Sequence, residues 1–222
     1  MAQPGYKGPL TTEQVAAGIN SARENARRLV EDATLLLNAE RHPSAAAFAI
    51  LSIEESGKVT VLRQIAMAAN DPDALAAAWR GYRSHTKKNA MWMLPDLARS
   101  GARSLDEFKP LFADNADHPM VLDGVKQIAF YTDCYRAGHW SIPKVVIDAK
   151  LASQMVTIAR IFVGDGAPTT PREIDLWVKH FSPMPVGLDA MKQALLAWHT
   201  EMQHEGLAKA GDTFEKFVRG VH

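Results

Sequence analysis

Residues 11–40 read TTEQVAAGINSARENARRLVEDATLLLNAE, and their pattern indicates the fold class. It opens with a capping-box pattern from Thr11 to Gln14, which is typical of the first turn of a helix. Its apolar residues then recur every three or four positions, as they do on one face of an amphipathic helix. The residues of this face are Val15, Ile19, Ala22, Ala26, Leu29, Ala33 and Leu36. An apolar face of this length has to be covered by other helices, so the stretch predicts a helical bundle.

The rest of the chain repeats the helical pattern. Prolines and capping residues mark predicted helix starts, whereas the breaker NDPD, Pro95 and Gly138 mark predicted ends. The further predicted helices cover residues 43–69, 72–94, 120–135 and 143–163, and a sixth begins at Thr170 and Pro171. Residues 187–222 again have helical spacing, interrupted at Gly206 and Gly211. A long connection is predicted over residues 94–119, and the competing strand signal is VVI at residues 145–147. The prediction is therefore a single all-α domain over residues 1–222.

The composition is that of an ordinary globular protein. Hydrophobic residues make up 47% and charged residues 23% of the chain, which excludes collagen, an intrinsically disordered chain and a pure coiled coil. Lys and Arg together number 25, as do Asp and Glu, so the formal net charge is zero. A histone-like grip on nucleic acid over the whole surface is thereby excluded, and any nucleic-acid site has to be a local basic patch.

The sequence carries no sign of export or of membrane insertion. The opening residues MAQPGYKGPL lack the basic start and apolar run of a signal peptide. The most apolar run, AAAFAILSI at residues 45–53, is far shorter than the about 20 residues that span a bilayer. A single cysteine, Cys134, excludes a disulfide framework and multi-cysteine metal sites, and it favours a reducing compartment. We therefore expect a cytoplasmic protein without a membrane segment.

A basic island lies in the predicted third helix. It consists of Arg80, Arg83, His85, Lys87 and Lys88. No acidic residue occurs from residue 74 to residue 95. Guanidinium groups pair with phosphate oxygens and an imidazole titrates near neutral pH, so the island predicts a phosphate site, although a solvated helix face is the alternative. On a regular helix Arg80 and His85 would point about 140° apart, so a shared site needs a distorted turn or a cleft reached from two sides.

Two adjacent carboxylates in the predicted second helix are candidates for a supporting role. Glu54 and Lys58 have the i,i+4 spacing of an exposed ion pair, which contributes little to stability. Glu55 continues a predicted buried stripe, so its carboxylate would point inward and would need a cationic or hydrogen-bonding partner. We expect that partner among the arginines and Lys88 of the basic island. Glu54, Glu55 and Lys58 would then orient the island rather than take part in catalysis.

Neither a metal nor a cofactor is predicted. Glu201 and His204 form a Glu-x-x-His step, but a di-iron helical bundle needs two such steps and the sequence has one. His199 and His204 are poorly spaced to bind one metal from the same helix. Cys134 lies in a predicted helix with apolar spacing and is expected to be a buried, unreactive thiol.

Three segments resemble the landmarks of one protein family. The first ends in a Glu-Glu-x-Gly-Lys step, the second has an Arg-x4-His spacing, and the third has a Tyr-x-Asp step before Trp and Pro. They are AAAFAILSIEESGK at residues 45–58, WRGYRSHTKK at residues 79–88 and IAFYTDCYRAGHWSIP at residues 128–143. Their order and content are similar to those of the AbiV abortive-infection family in the HEPN superfamily. The resemblance implies a HEPN-like core over residues 11–163 and leaves residues 164–222 as a C-terminal helical extension.

The resemblance implies an antiphage effector or toxin, because many HEPN proteins are metal-independent ribonucleases that act at a cleft between two subunits. Arg80 and His85 would then be the catalytic residues, and Arg83, Lys87 and Lys88 would bind the RNA substrate. The implied partners are RNA, a second copy of the chain as a homodimer and, for regulation, an antitoxin or a phage protein as trigger. No cofactor is implied.

The alternative function is a non-catalytic helical interaction module that binds a protein partner or a phosphorylated ligand through the basic island. Gly81 favours this alternative, because HEPN nucleases often have a polar residue directly after the motif arginine and this sequence has glycine there. The regular-helix geometry of Arg80 and His85 favours it as well.

Overall fold

A computed structural model of the protein describes residues 5–84, 104–107, 118–164 and 166–221. Within these ranges the chain forms a bundle of helices with one short β-hairpin, which confirms the predicted all-α class. The helices are α1 (Thr12–Asn38), α2 (His42–Met67), α3 (Pro72–Arg83), α4 (His118–Phe130), α5 (Pro143–Val146), α6 (Ala149–Val163), α7 (Pro171–Phe181), α8 (Leu188–His204) and α9 (Thr213–Arg219). The hairpin consists of β1 (Asp133–Tyr135) and β2 (His139–Ser141).

Helix α1 begins and packs as the sequence predicts. The Gln14 backbone N–H donates to the Thr11 hydroxyl (3.3 Å), and the Thr11 backbone N–H donates to the Gln14 side chain (3.0 Å). The predicted apolar face is buried from Val15 to Ala33, and Leu36 at its end is partly buried. This face covers α2, and the two helices form the most extensive helix pair of the described bundle.

Helix α2 occupies the centre of the bundle. The four alanines within residues 45–49 are all fully buried, at 0% exposure. Because these residues point in different directions around the helix, neighbouring elements enclose this half of α2 on all sides. Small side chains also let α1 and α2 approach closely, and the buried Ser52 hydroxyl donates to the Ala26 carbonyl of α1 (2.7 Å).

Two hydrophobic cores lie against the pair of α1 and α2. One core joins the pair to α4 and α6, where Leu122, Val156 and Ile158 are almost fully buried. The other core joins the pair to α3 and α7 through residues that include Trp79 and Ile174. Helix α3, which carries the two arginines of the basic island, is therefore fixed on the second core.

The hairpin differs from the sequence prediction of a helix over residues 120–135. Helix α4 ends at Phe130, and the chain then turns back so that Cys134 pairs with Trp140 in antiparallel register. The turn includes Gly138 at φ 80°, a left-handed conformation that glycine adopts without strain. Cys134 is exposed on its strand, so the prediction of a buried thiol in a helix is wrong.

The helix predicted over residues 143–163 is divided into α5 and α6. Ile147 has an extended backbone, and the Asp148 side chain caps α6 by accepting from the Leu151 N–H (2.8 Å). Aspartate is strongly favoured at this capping position. The third predicted helix ends at Arg83, and its predicted continuation through Ser84 is wrong, because Ser84 has an extended backbone. The rest of the predicted helix, residues 85–94, lies outside the described residues.

Helices α7 to α9 follow the predicted starts and interruptions of the C-terminal segment. Thr170 and Glu173 form a capping box at the start of α7, and α7 packs on both α1 and α2. A bidentate ion pair of Arg172 with Glu205 joins α7 to the end of α8. The division into a core and an extension stays a prediction. None of the described helices combines the length and the apolar character needed to cross a bilayer.

We expect Ala49→Leu to lower the free energy of unfolding by about 1–3 kcal/mol, because a larger side chain overpacks the enclosed half of α2. The exposed Ala17 of α1 provides the matched control, and Ala17→Leu should change this free energy by less than about 0.5 kcal/mol. Urea unfolding followed by far-UV circular dichroism measures both. Wild-type stability of Ala49→Leu would contradict the close packing of α2.

Candidate active site

Helix α3 holds the start of the basic island. The Asp71 side chain caps its first turn by accepting two backbone N–H groups, and Trp79 is buried in the core shared with α2. The helix ends at Arg83, and Ser84 has an extended backbone (φ −83°, ψ 127°). The basic island therefore leaves helical geometry before residue 85.

This helix end changes the geometry expected for Arg80 and His85. Their separation of about 140° holds only on a regular helix, whereas Ser84 interrupts the helix between the two residues. A departure from helical geometry, which a shared site requires, is thus present at Ser84. His85, Lys87 and Lys88 themselves lie outside the described residues.

Arg80 is an available guanidinium near the end of α3. Its side chain is exposed, and it forms no hydrogen bond or ion pair with any residue that the structure describes. A guanidinium in this state keeps its five N–H donors for a ligand such as phosphate. The donors of Arg80 are therefore available to a ligand, and its role in catalysis stays a prediction.

Arg83 is engaged within the protein. Its guanidinium donates to the backbone carbonyls of Tyr6 (2.7 Å) and Trp79 (3.3 Å) and lies 5.5 Å from the centre of the Trp79 ring. The Trp79 indole in turn donates to the Gly8 carbonyl (3.0 Å). Arg83 and Trp79 thus hold residues 5–10 against α3, and a role of Arg83 in binding RNA stays a prediction.

Gly81 is not required by the packing of α3. A Cβ atom added at Gly81 would meet Cγ1 of Val61 on α2 at 3.9 Å, which is an ordinary van der Waals distance. The backbone of Gly81 is helical and needs no left-handed conformation. A side chain therefore has room at position 81, so packing against α2 does not require glycine there.

Glu54, rather than Glu55, is the buried carboxylate of α2. Glu54 is 3% exposed and accepts from Lys126 Nζ of α4 (2.5 Å), and Asp123 lies 2.8 Å from the same ammonium. Lys126 is itself 5% exposed. The expected inward orientation of Glu55 and the expected pair of Glu54 with Lys58 are both wrong, because α2 is turned so that Glu54 faces α4.

Glu55 and Lys58 form a second ion pair beside α3. Lys58 Nζ lies 2.5 Å from Glu55 Oε1, and both side chains are partly buried. Lys58 also lies 5.5 Å from the centre of the Tyr82 ring, which packs edge-on against Trp79. The pair therefore contacts the end of α3 that carries Arg80, and its supporting role stays a prediction.

Lys126 and Asp123 are candidate supporting residues that the sequence analysis missed. Lys126 stands between the buried Leu122 and Ala129 on the apolar face of α4, and a lone lysine at such a position was the available signal. Burial lowers the pKa of Lys126, but its hydrogen bonds to Asp123 and Glu54 outweigh burial and raise the pKa above its ordinary value. Lys126 is therefore a buried cation at neutral pH.

Glu201, the first residue of the Glu-x-x-His step of α8, forms ion pairs with two residues of α7. Glu201 accepts from Lys179 (2.6 Å) and bonds to His180 (2.6 Å), and these hydrogen bonds, the one from Lys179 first, lower the pKa of Glu201. Among the residues that the structure describes, no three His, Cys, Asp or Glu side chains are grouped so that they could hold a metal ion.

An open groove of about 600 Å³ lies between α1 and α6. Its cationic lining residues are Arg27 and Arg160, and Arg160 donates to the Thr34 hydroxyl (2.9 Å). The lining residues come from α1, from α6 and from Gly164 just after α6. This groove and Arg80 are therefore separate features of the surface.

Comparison with protein-family models relates this chain to known proteins. The HEPN_AbiV family model, described as AbiV, matches residues 14–164. The matched region includes the basic island and both ion pairs of α2, and it ends before α7. A search of curated proteins and a search of solved structures found no match.

We expect Lys126→Met to lower the free energy of unfolding by about 3–5 kcal/mol, because the substitution removes the cation from a buried ion pair. Lys58→Met is the matched control, since the pair of Lys58 with Glu55 is more exposed and should contribute less than about 1 kcal/mol. Chemical unfolding at neutral pH measures both variants.

The raised pKa of Lys126 also predicts how the stability of the fold depends on pH. Because the folded-state pKa of Lys126 is raised, its contribution to stability is fully present below the unfolded lysine pKa of about 10.4 and is lost as the pH rises through the folded-state pKa. Lys126→Met should remove this alkaline loss. Equal costs for Lys126→Met and Lys58→Met, or identical alkaline profiles of variant and wild type, would contradict the buried pair.

Proposed function

The chain belongs to the HEPN AbiV family, and from this membership we propose that it is an abortive-infection effector that cleaves RNA without a metal ion. The observation that carries the proposal is the state of Arg80. Its guanidinium is exposed, has no polar partner among the described residues, and lies just before the point where the helix ends and the chain continues to His85. Arg83, by contrast, donates to backbone carbonyls, as a structural arginine does.

The proposed reaction is a transesterification within one RNA strand. A base removes the proton of a ribose 2′-hydroxyl, the 2′-oxygen attacks the adjacent phosphorus, and an acid gives a proton to the leaving 5′-oxygen. The bond from phosphorus to the 2′-oxygen forms while the bond to the 5′-oxygen breaks. The products therefore carry a 2′,3′-cyclic phosphate and a 5′-hydroxyl.

His85 is the residue that we assign to proton transfer, because an imidazole acts as a base or an acid near neutral pH. Arg80 would bind the phosphate and stabilise the charge of the phosphorane through its planar donors. Lys87 and Lys88 would add phosphate contacts. Arg83 would contribute with the donors that its two carbonyl partners leave unused.

The ion pairs of α2 are consistent with a supporting role next to α3. The Glu54–Lys126 pair connects α2 to α4, and the Glu55–Lys58 pair contacts Tyr82 on the last turn of α3. Both carboxylates are already paired with lysines. Their pairing favours an orienting role over direct proton transfer to RNA.

The proposal includes a cleft formed by two copies of the chain. Large apolar side chains are exposed in the segment from α4 to α5, and they include Met120, Tyr131, Tyr135, Trp140 and Val145. Exposed apolar residues concentrated in one segment are typical of an interaction surface, which supports association with a second copy. A phage protein, or the loss of an antitoxin, would act as the trigger.

We expect the purified protein to cleave total RNA in the presence of EDTA, and we expect His85→Ala to reduce the rate by about 10²-fold or more. The exposed His204 at the end of α8 provides the matched control, and His204→Ala should cleave at the wild-type rate. Thermal unfolding establishes that each variant is folded. Mass spectrometry of the fragments identifies the cyclic phosphate.

Wild-type cleavage by folded His85→Ala protein would overturn the assignment of His85. A folded wild-type protein that binds RNA or a phosphorylated ligand without cleaving RNA would support the non-catalytic interaction module instead.

The shared cleft makes a separate prediction for mixed subunits. If Arg80 of one subunit acts with His85 of the other, mixing Arg80→Ala and His85→Ala proteins should restore about a quarter of the wild-type activity, because half of the random dimers are mixed and each contains one intact site. Native mass spectrometry measures the mixed fraction. Mixed dimers without activity, or a wild-type protein that cleaves RNA as a monomer, would refute the shared cleft.

A further inference from the structure

Arg63 is a cation of α2 for which the described residues provide no polar partner. Its guanidinium carbon lies 4.5 Å from the centre of the Trp177 ring on α7 and 5.9 Å from that of Trp198 on α8. Its Nε is buried without a hydrogen-bond acceptor, and the guanidinium forms no ion pair with any described residue. A buried N–H without an acceptor is unusual, because removing a donor from water costs free energy that a hydrogen bond normally offsets.

The two indole N–H groups beside Arg63 also lack a hydrogen-bond acceptor. Nε1 of Trp177 and Nε1 of Trp198 are both buried, and neither donates a hydrogen bond. The two rings meet edge to face with their centroids 5.4 Å apart. The Trp79 indole, by contrast, donates to a backbone carbonyl. Arg63, Trp177 and Trp198 are therefore in mutual contact, and each has one buried N–H group without an acceptor among the described residues.

The charge around this cluster is positive. Arg63 and Arg23 of α1 bring two positive charges, and Glu173, which accepts from the Thr170 backbone N–H in the capping box of α7, brings one negative charge, so the net charge of the three is positive. Burial first, and the charge of Arg23 second, lower the pKa of Arg63 to about 10, so its guanidinium is still protonated at neutral pH. An anion from solution would satisfy both the charge and the donors.

We propose that Arg63, Trp177 and Trp198 form a binding site for a small oxyanion of the phosphate or carboxylate class. The guanidinium supplies planar donors that match such an anion, and the indoles supply further N–H groups. Trp177 is stacked on Phe181 with centroids 3.8 Å apart and carries Arg63 on its other face, so no face of its ring is left for a nucleobase. The ligand is therefore the oxyanion itself.

The proposed anion site is separate from Arg80. Arg63 stands two positions after Val61 on α2, so the two side chains point about 200° apart, and Val61 is the residue that approaches Gly81 of α3. Arg63 lies within the region matched by the family model, whereas both indoles lie beyond it. A bound oxyanion would stabilise the contact of α2 with α7 and α8, whether or not the protein cleaves RNA.

The indole N–H groups provide a direct test. Inorganic phosphate is titrated into the ¹⁵N-labelled full-length chain at constant ionic strength, and Trp177→Phe and Trp198→Phe assign the two resonances. We expect the Trp177 and Trp198 signals to shift along one saturable curve while the Trp79 signal stays in place. Shifts that are absent, or that grow linearly for all three indoles, would overturn the proposal. Acetate in place of phosphate shows whether the site also takes carboxylates.

Thermal unfolding in phosphate distinguishes binding at Arg63 from binding at Arg80. Phosphate should raise the melting temperature of the wild type in proportion to the logarithm of its concentration above the dissociation constant. Arg63→Lys keeps the charge but loses the planar donors, so its binding should be about tenfold weaker, whereas Arg80→Ala should keep the part of the rise that Arg63→Lys loses. A rise that Arg63→Lys retains and Arg80→Ala loses would place the anion in the proposed nuclease site instead and overturn this inference.

Discussion

The close contact between α1 and α2 is the constraint on which the other elements depend. Small side chains line the approach, and the Ser52 hydroxyl bonds to a carbonyl of α1 across it. A helix whose alanines are covered in every direction cannot shift without disturbing both hydrophobic cores. The position of α3, and with it that of Arg80, follows from the surface that α2 leaves for Trp79 and its neighbours.

The enclosure of α2 also determines which neighbouring helices its polar residues contact. Ser52 reaches a backbone carbonyl, Glu54 reaches the buried ammonium of Lys126, and Arg63 lies against two indole rings. These contacts join α2 to different neighbours: Ser52 joins it to α1, Glu54 to α4, and Arg63 to α7 and α8. On a surface helix these polar groups would be hydrated. In α2 each of them contacts a particular neighbour, and each contact fixes the rotation of α2 relative to that neighbour.

The sequence allows the fold class to be predicted but not every orientation. Helix α1 has one covered face, so periodicity identifies its buried residues; α2 is covered all round, so periodicity does not distinguish Glu54 from Glu55. The hairpin was missed because its apolar residues also fit a helical spacing. The partnership of Glu54 with Lys126 is a tertiary contact across 72 positions, which no local pattern encodes. The end of α3 at Arg83 likewise has no proline or glycine directly after it that would mark it in the sequence.

The exposed position of Cys134 gives the hairpin a practical use. It is the single cysteine of the chain and lies on β1, next to the exposed apolar side chains of the segment from α4 to α5. A thiol-reactive spin label or fluorophore would therefore attach at one defined place without any substitution in the protein. In an assembly of two copies, the distance between two such labels would report how the hairpins are arranged relative to each other.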